Sequence, residues 1–213
     1  MMKVIGIDLS GPSNMADTCM VIFDEHAKEL HFLEAHEGAS DRQILEILSK
    51  SEINARIIVG LDAPLSYNPG GGDRESDKEL RKLVKMRGGG VGVMTPTMTR
   101  MVYLTLRGVV LARMLETLES KVEIVEVHPG ACLLLRDAPA EDVKQFKRDP
   151  SARAQLCEWL ETQGLKRLPA GDSFSDHFVA ACAAALGAWK WALGKSVWRF
   201  AAHPPEHPYE FAC

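Results

Sequence analysis

Two short apolar runs constrain this chain more than any other feature, because each suits a buried strand and each ends on an aspartate. The first is Met2–Ser10 (MKVIGIDLS), in which Val4, Ile5 and Ile7 lead to Asp8 and then to Ser10-Gly11-Pro12. The second is Arg56–Asp62 (RIIVGLD), followed by Ala63-Pro64-Leu65. β-Branched apolar residues in runs this short read as strands. A carboxylate released from a strand end into a Gly/Pro loop sits where open α/β sheets place ligands and chemistry. Aspartate is also a common turn former, so one such site decides little; the second copy carries the functional reading. If the two strands are adjacent and parallel, Asp8 and Asp62 lie side by side at one sheet edge.

The segments between and after these runs predict a mixed sheet. Thr18–Phe23 and Glu29–Ala35 read as two further strands, joined by a link short enough for a hairpin, so the first three strands form an antiparallel meander. A helix then begins at Ser40 or Asp41, with Ile44, Leu45, Ile47 and Leu48 on its apolar side. That helical crossover makes Arg56–Asp62 parallel to one of the earlier strands. Residues 66–96 read as a helical, Gly-rich insertion over one end of the sheet: Asp73 caps a charged helix running to about Met86, and Gly88, Gly89, Gly90 and Gly92 follow. Met98–Leu118 is a long helix, with Met101, Leu104, Leu111, Leu115 and Leu118 on one face. Lys121–His128 is a fifth strand, and helical pieces follow at Ala140–Phe146 and Ser151–Thr162. Asp172–Leu193 is an Ala-rich helix whose small residues let it lie close to a sheet, and His203–Pro208 is a Pro-rich tail. The expected fold is a single α/β domain over residues 1–213, with a mixed five-stranded sheet flanked by helices. No GxGxxG follows the first strand, which argues against a dinucleotide-binding parallel sheet.

A chain of 213 residues fits one domain with an insertion. No apolar run approaches the ~18 residues of a membrane span, and the N-terminus lacks a signal pattern, so a soluble cytoplasmic protein is the expectation. Five cysteines without a CxxC pair suggest reduced thiols, neither a disulfide framework nor a zinc site. His203 and His207 are spaced like a zinc pair, but the prolines between them forbid the helix that spacing requires. The net charge of −4 excludes a generally basic nucleic-acid binder. Its distribution is uneven, however: Arg74–Arg113 holds nine basic and three acidic residues, +6 in all, which leaves −10 elsewhere. A charge run is commonly a solvated helix face. Beside an acidic site it also suits a phosphate-bearing substrate, and Arg74, Arg81 and Arg107 are the candidates for phosphate contacts.

Further carboxylates converge on the same end of the sheet. Glu126 stands near the end of the fifth strand, just before His128-Pro129-Gly130, and Asp172 and Asp176 are four apart on one helix face. Carboxylates gathered this way repel unless a cation joins them, and oxygen-only donor sets suit Mg²⁺ or Mn²⁺. Two such ions clamp the attacking and leaving oxygens of a phosphodiester. Each acid also has a structural alternative: Asp176 as an early-helix acid favoured by the dipole, Asp172 as an N-cap, Glu126 facing solvent on an edge strand. His128 and His177 read as satisfied structural histidines. The Gly-rich loops lack the GK[ST] ending of a P-loop.

The set GIDLSG (6–11), GLDAPLS (60–66), the Arg74/Asp77/Arg81 helix, EVHPGA (126–131) and DHFVAACAAA (176–185) resembles a numbered family of unknown function described as predicted nucleases with an RNase H-like fold. The resemblance spans most of the chain, and it implies an RNase H-like sheet with strands four and five parallel to the first. In that superfamily, acids at the end of the first strand, near the fourth strand and on the last helix bind two divalent metals. Carried over, these are Asp8, Asp62 and Asp176, with Glu126 and Asp172 as further members. One departure is that many members have Glu where this chain has Asp62. The expected function is a Mg²⁺- or Mn²⁺-dependent phosphodiesterase acting on nucleic acid. Two rivals stand beside it. One is a non-catalytic RNase H-like binding or regulatory module. The other is an ATP-dependent phosphotransferase of the actin/sugar-kinase type, whose phosphate loop also begins with a strand and Asp-x-Gly; those enzymes use two tandem copies of the fold, and this chain holds about one.

Overall fold

Strands covered on both faces read as unbroken apolar runs, and β1 (Met2–Asp8) and β4 (Arg56–Asp62) are buried from Val4 to Ile7 and from Ile57 to Leu61 in the computed structural model, which describes residues 2–50, 56–169 and 175–213. β1 pairs antiparallel with β2 (Cys19–His26), and β2 antiparallel with β3 (Glu29–Glu37), giving the expected meander. β4 lies parallel to β1, and β5 (Val122–Val127) parallel to β4. Around this five-stranded centre the sheet is larger than the sequence suggests, with eight strands. Short β6 (Leu165–Lys166) joins β3 at one edge, while β8 (Glu210–Ala212) and β7 (Arg199–Phe200) extend it beyond β5, in the order β6-β3-β2-β1-β4-β5-β8-β7. Runs of two or three residues show no periodicity, so these edge strands leave no sequence signal. β8 follows the Pro-rich tail and pairs parallel with β5.

The helices divide the core into two layers. On one face α1 (Asp41–Ser49) and α3 (Met101–Glu116) cover Ile5, Ile7, Ile57 and Val59. Ser40 starts α1 through a capping box with Gln43, which satisfies two otherwise unpaired backbone donors. On the other face α7 (Asp176–Ala192) lies along the sheet, backed by α4 (Pro129–Leu135) and α6 (Pro150–Thr162). α7 is alanine-rich for a steric reason. A Cβ on Gly6 of β1 would come 1.9 Å from the Ala181 carbonyl oxygen, and one on Gly60 of β4 would come 2.3 Å from that of Ala184. Glycine on the strands and alanine on the helix together permit this close approach. The start of α7 falls at Asp176; Asp172 lies outside the described residues.

α4 is missing from the sequence reading because Pro129-Gly130 signals a turn. Here Pro129 occupies the first helical turn, where its absent N–H costs nothing, and all seven residues of α4 are buried. Within 66–96, α2 (Glu75–Met86) starts at Arg74, whose backbone N–H donates to Asp77, so Asp73 is not the cap. The remaining helix, α5 (Ala140–Gln145), precedes a turn at 146–148. All five cysteines are buried free thiols, and burial pushes those of Cys19 and Cys157 up to about 12. Among the described residues no helix is long and apolar enough to cross a membrane.

Candidate functional site

Asp8 and Asp62 are register partners at the C-terminal ends of adjacent parallel strands. Side chains alternate along a strand, so each acid shares a face with the glycine two residues before it. That face is the one against α7. Moving up β1 from Gly6 to Asp8 corresponds to moving down α7 from Ala181 to His177, since two strand residues and one helical turn span similar distances. The first turn of α7 therefore meets the carboxylates. His177 Nδ1 lies 2.7 Å from Asp8 Oδ2, while its Nε2 lies 3.9 Å from Asp17 and 4.0 Å from Asp176. These acids open into a cavity of about 470 Å³ whose walls include the irregular segment 90–94, α4 and the end of α5.

Electrostatics follow from this crowding. Asp62 is held well above the usual carboxylate range, first by burial and then by the charge of Asp8, to which it donates a hydrogen bond. Asp8 also raises His177 by accepting its hydrogen bond. Asp8 thus stands between an acid whose pKa is raised and a histidine whose pKa is raised by their hydrogen bond. His128 behaves oppositely. Burial lowers it, its Nδ1 accepts from Ala131 N–H, and its Nε2 pairs with the Gly92 carbonyl, so both ring nitrogens are engaged with the protein.

The other expected site residues have different surroundings. Glu126 is the register partner of Leu61, not of Asp62, so it leaves the sheet on the opposite face. There it accepts from both terminal nitrogens of Arg74, at 2.8 and 2.6 Å, and from Leu65 N–H. Arg74 is 3% exposed and donates further to Asp77 and Ser66, which engages its whole guanidinium. Arg81 is bound to Asp73 and the Val93 carbonyl. Arg107 is buried and donates to Asp41, Thr18 and the Ser10 carbonyl, fastening the loop that follows Asp8. Glu126 is thus the partner of a buried arginine, and the three arginines are engaged with protein groups around the cavity. Charge in a sequence does not reveal its partner. Asp73, held low by Arg81 and Thr95, is what occupies Arg81.

Two cavity residues escape sequence reasoning. His177 stands next to Asp176 in DHFVAACAAA, and only its placement on the first turn of α7 brings it to Asp8. Lys147, outside every motif, lines the cavity from the turn after α5.

As to a metal, the donor chemistry of the Asp8–Asp62 pair fits a hard cation. Mg²⁺ is commonly held by one or two carboxylates and keeps several waters, and two carboxyl groups side by side offer a place for a positive charge. Asp176 lines the same cavity. Among the described residues, no group of three or more His, Cys, Asp or Glu side chains stands close enough to enclose an ion. The pair fits a single hydrated ion in the present geometry, not a closed cluster.

No curated protein and no solved structure matches this chain. A family model does match, over residues 6–209, from the middle of β1 to the residue before β8. The stretch includes both strand-end aspartates, the buried Arg74–Glu126 pair and α7. The chain belongs to the family described as a protein of unknown function (DUF429).

Proposed function

We propose that this chain is a divalent-metal-dependent phosphodiesterase acting on nucleic acid, built on an RNase H-like core. The observation that carries the reading is the register pairing of Asp8 with Asp62, both lining the cavity, with the pKa of Asp62 raised by burial and by its neighbour. The central strand order β3-β2-β1-β4-β5, antiparallel in its first three members, supports the RNase H-like assignment.

In this reading Asp8 and Asp62 hold the cation, with Asp176 as an additional donor on the same cavity wall. Such an ion, when bound, supplies charge stabilisation for the phosphoryl transition state and a nucleophile at neutral pH. A cation held by this pair would favour the charged form of Asp62, offsetting the upward pressure of burial and of Asp8. His177 orients Asp8 through its Nδ1 hydrogen bond, the outer-shell role that fixes a ligating carboxylate. It also holds a proton at Nε2, facing the acids, where it can be given to a leaving oxygen.

The test is hydrolysis of single-stranded, double-stranded, branched and hybrid nucleic acids with Mg²⁺ and Mn²⁺. Cleavage of at least one class is expected, lost in Asp8→Asn and reduced by about 10²–10⁴-fold in His177→Ala. Absence of cleavage across the panel, with both metals supplied, would remove the catalytic reading.

A further inference from the structure

The arginines expected to meet phosphate are occupied, so the cavity needs another cation if it takes a phosphoester. Three lysine and arginine side chains line it among the described residues. Arg74 is fully engaged with Glu126, Asp77 and Ser66. Lys144 is paired with Glu141 at 2.8 Å. Lys147 has neither a hydrogen bond nor an ion pair with any described residue, although its charge acts on both Asp62 and His128. A lysine that lines the cavity, acts on Asp62 and pairs with no described residue is available to an anion that arrives beside that acid.

The rest of the lining limits what that anion is attached to. Val91, Val93, Met94, Met101 and Leu104 form an apolar wall in the same cavity. Thioethers and branched side chains pack well against a flat ring. About 470 Å³ is within the roughly 300–1,000 Å³ typical of pockets for one small ligand, and a paired duplex does not enter a space of that size.

Resting on the carboxylate-site reading for its location, we propose that Lys147 is the phosphate-binding residue of this cavity and that the cavity takes one unpaired nucleotide unit. The nucleobase lies against the Met94–Met101 wall, and the phosphate lies between Lys147 and the Asp8–Asp62 pair. The unit arrives either as a free mononucleotide or as part of a single strand.

Calorimetric titration of the full chain with Mg²⁺ present tests this. The probes are adenosine 5′-monophosphate, inorganic phosphate, an unpaired oligonucleotide and the same sequence as a duplex. The wild type is expected to bind the mononucleotide or the unpaired strand more tightly than inorganic phosphate or duplex, and which of the two it prefers identifies the source. Lys147→Gln should weaken binding about tenfold or more and lower the salt slope by about one. Lys147→Arg should largely restore it, and Lys147 is exposed, so neither change threatens the fold. Equal binding by wild type and Lys147→Gln, a preference for duplex or bare phosphate, or no binding of any probe would each overturn the proposal. Mn²⁺ binding by wild type and Asp62→Asn, measured alongside, separates the two readings. Intact metal binding without a Lys147 effect sinks this proposal alone, whereas a Lys147 effect without metal binding sinks the metal reading alone.

Discussion

Asp62 is shifted upward by burial and by Asp8, His177 by its hydrogen bond to Asp8, and the two shifts have the same sign of consequence for stability. A group whose folded pKa lies above its unfolded value contributes stability below the unfolded pKa and loses it as pH rises through the folded pKa. For Asp62 that loss begins above its ordinary 3.8, and for His177 above its ordinary 6.5. The metal-free protein is therefore less stable at neutral pH than its other contacts allow. Asp62→Asn should raise the melting temperature in chelator near pH 7, with the gain fading in acid, where the wild-type acid is neutral anyway. The same change should shrink stabilisation by Mn²⁺, worth about 2.7 kcal/mol at roughly 100 times its Kd in the wild type. Asp8→Asn is a poorer probe, because it relieves Asp62 but also breaks the hydrogen bond to His177. Thermal unfolding of Asp62→Asn with chelator and with Mn²⁺ decides the matter. Lower apo stability together with an unchanged metal response would make Asp62 a structural acid.

At the scale of elements, the packing of α7 against β1 and β4 sets where the acids stand. Gly6→Ala forces a Cβ into the backbone carbonyl of Ala181, which no rotamer change relieves. Overpacking of this kind costs about 1–3 kcal/mol, and more where backbone must shift. Gly11→Ala, where a Cβ meets nothing within 4 Å, serves as the control and should be near neutral. Urea denaturation of the two variants checks the difference. Much of this layer is legible in the sequence. β1 and β4 are short apolar runs closed by aspartates, and the alanines of α7 announce a close approach. The edge strands are illegible because two or three residues carry no period. α4 hides behind a Pro-Gly pair that usually marks a turn. The pairing of His177 with Asp8 depends on the registration of a helix against a sheet, which no local pattern encodes.

Across the whole molecule, Arg74 joins parts of the chain that are distant in sequence. It binds Asp77 at the start of α2, Glu126 at the end of β5 and Ser66 after β4; Ser66 also meets His207, and the guanidinium lies 5.6 Å from the Phe211 ring of β8. Asp77 and Glu126 are as deeply buried as the arginine. Arg74→Met leaves two buried carboxylates without their cation, and breaking such a pair costs about 3–5 kcal/mol. The variant should lose that much in chemical denaturation; a loss below about 1 kcal/mol would mean that water reaches the network. The basic character of 74–113 is thus largely internal wiring, with Arg74, Arg81 and Arg107 all turned to protein partners.

The pairing of Asp8 with Asp62 has one more consequence, visible in amide exchange. Both residues close a continuous parallel ladder from Met2–Arg56 to Asp8–Asp62, and α7 lies against that ladder at Gly6 and Gly60 without room for a methyl group. The backbone positions that carry the acids cannot separate by a loop swinging; for that the central strands must part. The amide protons inside this ladder are expected to exchange through global opening, which would tie the lifetime of the site to the lifetime of the fold.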